Sequence, residues 1–196
     1  MKSVLSSASA LLLGAVALTA FQSGTAMAAT GAGANSDSDS YAYSHPCSMQ
    51  QLSVQVFNTN ATPSRRLIEV HNLGANSCGL SYFPLVHLGN SHSADRSHDV
   101  KPLVPGGLGG APAYPVHAGQ TAYAVVDLNP SGATTGSDSG IDELSILPDG
   151  DHMPNADTLN FPLGDGAVVL SPKLGLYRDN SGDAIASAAE ADTPQS

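Results

Sequence analysis

The 196-residue chain is poor in positive charge, in cysteine and in long apolar runs. Seven Lys and Arg stand against 17 Asp and Glu, a formal net charge of −10 at pH 7. That balance repels phosphate backbones and anionic headgroups, which excludes nucleic acid and lipid surfaces as partners on electrostatic grounds. It suits dispersal outside the cell, and it also suits a cationic partner or divalent metal ions. No apolar stretch near the C-terminus is long enough to anchor the chain, so no membrane insertion is expected after the leader is removed. No internal repeat is present, and no stretch of the central region shows helical apolar spacing over three turns.

Only two cysteines occur, Cys47 and Cys78. Soft-metal sites usually draw on cysteines a few residues apart, so two free thiols acting as metal ligands are the weaker reading. In an oxidising compartment a single disulfide is expected, closing a loop of roughly 31 residues and stabilising the fold by about 3–4 kcal/mol in the chain-entropy model. Export itself is read from residues 1–28. Lys2 supplies a positive start, the run from Ala10 to Phe21 is apolar but too short to span a bilayer, and Ala26-Met27-Ala28 fits a small-x-small cleavage site. Residues 29–45 lack apolar periodicity and read as a flexible linker, 46–180 as one β-sandwich domain, and 181–196 as a disordered acidic tail without a bulky stripe to dock it.

Period-two patterns and turn residues dominate the central region. Leu52, Val54 and Val56 alternate with polar neighbours, and Ile68 and Val70 alternate with Glu69 and His71. A third strand starts near Cys78 and is interrupted at Pro84, before Val86 and Leu88 resume the pattern. Residues 120–128 form the best strand, with Ala122, Ala124, Val126 and Leu128 on one face. Further strands are expected over 100–104, 144–147, 167–170 and 174–178. The fold class that follows is all-β, an immunoglobulin-like antiparallel β-sandwich with one disulfide.

The run Ile68-Glu69-Val70-His71-Asn72-Leu73-Gly74 leads into Cys78, and Gly79-Leu80-Ser81-Tyr82-Phe83-Pro84 follows; Gly119-Gln120-Thr121-Ala122 opens a later strand. Together these segments resemble an exported actinobacterial family catalogued as domain of unknown function 4232, over about residues 47–178. The resemblance implies an exported β-sandwich and a Cys47–Cys78 bridge. It implies no activity and carries over no functional residue. The chain departs from the family pattern at His117-Ala118, where a proline-rich turn is usual, and in lacking a second cysteine pair in its later half.

Candidate sites are few. His87, His92 and His98, with Asp95 and Asp99 between them, offer ligand types suited to zinc or copper, but on a Ser-rich loop without a rigid support. The acids from Asp149 to Asp157 are spaced like a calcium loop, yet Met153 and Pro154 occupy positions that need an oxygen ligand and a glycine. No Gly-x-Ser-x-Gly elbow exists, and Ser137-Asp138-Ser139-Gly140 reads as a solvated loop. Asp142 and Glu143 are adjacent and on a strand face opposite ways. Gly106, Gly107, Gly109 and Gly110 have no following Lys to make a phosphate loop. Tyr123 is out of phase with the apolar face of its strand, so it either joins Tyr114 on a surface, for a sugar or a partner protein, or covers a second small core. The expectation is a secreted, monomeric, non-catalytic protein without cofactor, meeting an extracellular or cell-wall partner. The alternative is an extracellular metal-binding protein using residues 87–99.

Overall fold

Alternation of side chains along the strands sets the architecture. The computed structural model describes residues 36–108, 114–136 and 138–195. The expected leader, residues 29–35 of the expected linker, Gly109, Gly110 and Ser137 lie outside the described residues. Strand β2 (Arg65–Asn72) alternates half-buried and buried positions throughout, with Ile68 and Val70 in the core and Glu69 and His71 turned away, as read from the sequence. β1 (Leu52–Asn58) pairs antiparallel with one side of β2, matching Val54 to Val70. β7 (Thr121–Asp127) pairs antiparallel with the other, matching Ala124 to Ile68. With β10 (Lys173–Leu174), β5 (Leu103–Val104) and β11 (Thr193–Pro194), these make a six-stranded sheet of order β1-β2-β7-β10-β5-β11.

Two smaller sheets complete the framework. β4 (Leu85–Gly89), β8 (Glu143–Leu147) and β9 (Leu159–Pro162) form an antiparallel sheet, and β3 (Cys78–Leu80) pairs with β6 (Tyr114–Val116). Ile68, Val70 and Ala124 share one buried cluster with Val86, Leu88, Leu144 and Ile146, so the two larger sheets contribute to the same core. Tyr177 is the largest fully buried side chain there, and its hydroxyl donates to the Pro148 carbonyl at 2.9 Å. Burial, then the nearby Asp149 charge, pushes that phenol well above its ordinary range, so it stays a donor.

Several sequence expectations are corrected. The pairing is not wholly antiparallel, because β10 and β5 run parallel through Lys173 and Leu103. Their connection contains β6 to β9, long enough for the chain to return in the same direction. Residues 167–170 form no strand, only a single bridge from Val169 to Asp138, and the left-handed Gly164 and Gly166 bend the chain just before it. Pro84 separates two strands of different sheets rather than interrupting one ladder.

The expected disordered tail is folded. Helix α2 (Ser181–Ala189) starts at Asn180, whose side chain accepts from the Asp183 amide at 2.9 Å, and it buries Ala184, Ser187 and Ala188. Gln195 then both accepts from the Val86 amide and donates to its carbonyl. A bulky stripe is unnecessary because α2 approaches the backbone itself. A Cβ on Gly175 would lie 2.4 Å from the Ala184 carbonyl oxygen. Val125, on the outward phase of β7, is fully buried, and α2 is the element packed there.

The described part of the expected linker is folded too. Helix α1 (Asp39–Ser44) is capped by Ser38 and buries Ala42 against Gly79, where a Cβ would come within 2.7 Å of the Ala42 carbonyl oxygen. The disulfide joins Cys47 to Cys78 with a Cα separation of 4.8 Å. Around it the Cys47 amide donates to the Gly79 carbonyl and the Gly79 amide to the His45 carbonyl, each at 2.9 Å. Upstream, the Asp37 carboxylate accepts from the Ser77 hydroxyl at 2.6 Å and the Ala118 amide at 3.1 Å. Residues 36–47 thus form a strap laid over β3 and the turn after β6.

Two outcomes follow from these contacts. Gly175→Ala is expected to displace α2 and lower stability by about 1–3 kcal/mol in urea unfolding; an unchanged midpoint would contradict the docking. The Asp37 carboxyl is held below its ordinary value of 3.8, first by the Ser77 hydroxyl and then by the Ala118 amide. A lowered folded value means its anchoring is complete above 3.8 and is lost as pH falls through the folded value. The Ala118 amide resonance should therefore titrate with a midpoint below 3.8, and a midpoint at or above it would refute the anchor.

Candidate functional site

Strands β6 and β7 belong to different sheets, and the outer phase of β7 is only partly covered at its N-terminal end. A groove of about 780 Å³ opens there, lined by Asp39, Tyr114, His117, Thr121, Tyr123 and Asp179 among others. Tyr114 begins β6, and His117 opens the turn into β7, closed by the Gln120 amide donating to the His117 carbonyl at 3.0 Å. Gly119 takes φ +72° in that turn, a left-handed value that a side chain would strain. Tyr123 is half-buried on the outer face of β7, opposite Glu69 of β2 and bridged on its other side to Arg178. Asp179 follows that bridge and lines the groove, as does Asp39 from α1.

The polar groups are coupled. The Tyr114 hydroxyl donates to the Asp179 carboxylate, while its ring tilts against Tyr177 with centroids 5.8 Å apart. Burial first, and the Asp179 hydrogen bond second, raise the Tyr114 phenol far above its ordinary range, so it is neutral at physiological pH. His117 lies between two acids, with Nε2 3.0 Å from Asp39 Oδ1 and Nδ1 3.4 Å from Asp37 Oδ1. Its Nδ1 is also 2.9 Å from Ser77 Oγ.

Serine, histidine and aspartate meeting in this way invite comparison with a nucleophilic triad. The proton arrangement is wrong for one. A nucleophilic serine gives its proton to the histidine, whereas Ser77 gives its only proton to Asp37 and is 1% exposed. The set holds the strap in place and shapes the groove wall.

The histidine candidates for a metal site lie elsewhere and do not converge. His87 is half-buried on β4, where burial, and after it the charge of Lys101, holds its imidazole below the usual range. His92 and His98 are exposed, and His98 Nε2 is 3.9 Å from Asp95 Oδ2. Arg96 organises their loop instead, with Nε 2.9 Å from Asp99, Nη1 3.1 Å from Glu143 and Nη2 donating to Ser145 Oγ at 2.6 Å. Among the described residues no group of three or more His, Cys, Asp or Glu is placed to hold a metal ion.

The calcium-like spacing from Asp149 is a turn. The Asp149 carboxylate is wholly buried and accepts from the Asp151 and His152 amides at 3.0 Å, with His152 Nδ1 2.8 Å from its other oxygen. Asp142 accepts from Ser91 while Glu143 meets Arg96, so the adjacent acids serve different partners. Tyr114 and Tyr123 are the sequence candidates that the fold does bring together. Asp39, His117 and Asp179 escaped notice as site residues. The Asp-rich start of the strap and the polar turn at 117–119 were the only signals for Asp39 and His117, and Asp179 had none.

Residues 47–176 match the family described as Domain of unknown function (DUF4232). No curated protein and no solved structure matches the chain. The matched span holds both cysteines, β1 to β10, Tyr114, His117 and Tyr123, whereas Asp39 and Asp179 stand outside it. Since that span covers the disulfide and almost all of the strand framework, the chain belongs to the DUF4232 family.

Proposed function

We propose that this chain is a secreted, non-catalytic binding module, an immunoglobulin-like sandwich whose Tyr114–Tyr123 groove recognises an extracellular or cell-envelope partner. One observation carries the reading: two half-buried tyrosines from different sheets line a single groove with polar groups between them. Aromatic rings on rigid strands offer large contact area with little rotamer freedom to lose, the usual make-up of recognition surfaces. The shared core of the two larger sheets supports a sandwich as the scaffold. The Cys47–Cys78 bond is compatible with an oxidising, extracellular setting. Engagement of Ser77 by Asp37 supports recognition over hydrolysis.

A metal-binding role for residues 87–99 has less support. Arg96 sets a guanidinium against Asp99 and Glu143, so a cation bound by those carboxylates would meet like charge.

The test is retention of the purified protein on cell-wall material and on immobilised extracellular proteins, wild type beside Tyr123→Ala. The wild type should be retained, with retention weakened about tenfold in the variant. Tyr123 is half-buried, so the variant is expected to lose about 1–2 kcal/mol, and a urea unfolding curve that still shows a folded baseline separates lost binding from lost folding. Equal retention of both forms, or of neither, would overturn the proposal.

A further inference from the structure

Resting on the reading of this groove as a recognition surface, we infer that its ligand is cationic: an amine or guanidinium presented by a basic stretch of a partner polypeptide. The groove combines aromatic faces with carboxylates, which is cation chemistry, since the negative face of a tyrosine ring and an ionised acid both attract a desolvating positive group. Asp39 and Asp179 line it directly. Asp37 lies behind His117, and Glu69 sits opposite Tyr123 in the β2–β7 register.

One fixed positive charge, Arg178, adjoins Asp39, Asp179 and Glu69 around the tyrosines. Arg178 is paired with Tyr123 across the bridge, and its Nη1 donates to the Tyr177 carbonyl at 2.9 Å. His117 and His71 add imidazoles at the edge, with His71 Nδ1 2.9 Å from Thr121 Oγ1. The two lining acids, Asp39 and Asp179, are not saturated. His117 approaches Asp39 through Oδ1, and Tyr114 donates to Oδ1 of Asp179; an ionised carboxylate offers about four lone-pair sites, so both keep accepting capacity.

Other ligand classes fit less well. An anion meets repulsion, and a neutral sugar would stack on the rings but leave the acids without a charged partner. A bare metal ion needs converging ligands, and among the described residues no such group of three exists. A guanidinium or ammonium needs only one carboxylate beside an aromatic face, and guanidinium stacks on aromatic rings particularly well. The net charge of −10 adds long-range attraction for a basic segment, which speeds encounter at low salt.

Calorimetric titration of the oxidised protein tests this, using a peptide of alternating Gly and Arg and a neutral control of alternating Gly and Ser. The basic peptide should bind and the neutral one should not, with affinity falling as salt rises from about 20 to about 300 mM. Asp179→Asn keeps an acceptor for the Tyr114 hydroxyl yet removes the charge. It and Tyr123→Ala should each weaken binding by roughly tenfold. Asp165→Asn makes the same change in net charge on an exposed turn, and should weaken it less than about twofold.

Equal losses for Asp165→Asn and Asp179→Asn would show general attraction only and overturn the inference. Binding of the neutral peptide with dependence on Tyr123 would overturn the cationic ligand and leave the groove standing. Basic-peptide binding indifferent to Tyr123→Ala would remove both. No binding of either peptide overturns the cationic ligand, and the retention experiment then decides on the groove by itself.

Discussion

The Cys47–Cys78 bond is the constraint from which the geometry of the site descends. It fixes the segment before β1 against β3, and backbone hydrogen bonds from Cys47 to Gly79 and from Gly79 to His45 continue the contact on either side. β3 in turn pairs with β6, which carries Tyr114 at one end and leads to His117 at the other. One wall of the groove therefore hangs on the bond through two strands, and Asp39 hangs on it through the strap. A closed loop with a sequence separation of 31 is worth about 3–4 kcal/mol in the chain-entropy model, a large share of the roughly 5–15 kcal/mol typical of a domain.

Both helices are held by close backbone approach rather than by large side chains. Ala42 of α1 meets Gly79, and Ala184 of α2 meets Gly175. Each contact fails if the glycine gains a side chain. Asp39 opens α1, and Asp179 precedes the Asn180 cap of α2, so the two helices bring their carboxylates to the same groove from outside the matched family span. The strand framework and the tyrosines thus lie within the matched family span, while Asp39 and Asp179 come from the flanking segments of this chain.

Much of the framework was legible in the sequence because period-two alternation reports one-sided burial. Ile68, Val70, Ala122, Ala124 and Val126 sit where that pattern places them, and the lone cysteine pair gave the bond. Tyr123 was readable as an outward residue from its phase. Helix α2 was not readable, because alanines that dock on a glycine leave no bulky stripe; Gly175 between Leu174 and Leu176 was its only mark. β6 was hidden by its short length and by Pro115 within it. Asn72 read as a turn residue, yet it is fully buried, donating to the Asn76 and Val116 carbonyls and so tying β2 to β6. The acidic rim depends on residues far apart in sequence, which no local pattern reports.

Amide hydrogen exchange in the oxidised protein and after reduction and alkylation of Cys47 and Cys78 addresses this dependence most directly. If the bond positions the strap and through it the groove, protection at Ala42, His45 and Gly79 falls further on reduction than protection at Ile68 and Ala124 in the β2–β7 ladder. An equal or smaller fall at the strap amides would show that the groove wall stands without the bond, and would contradict the account.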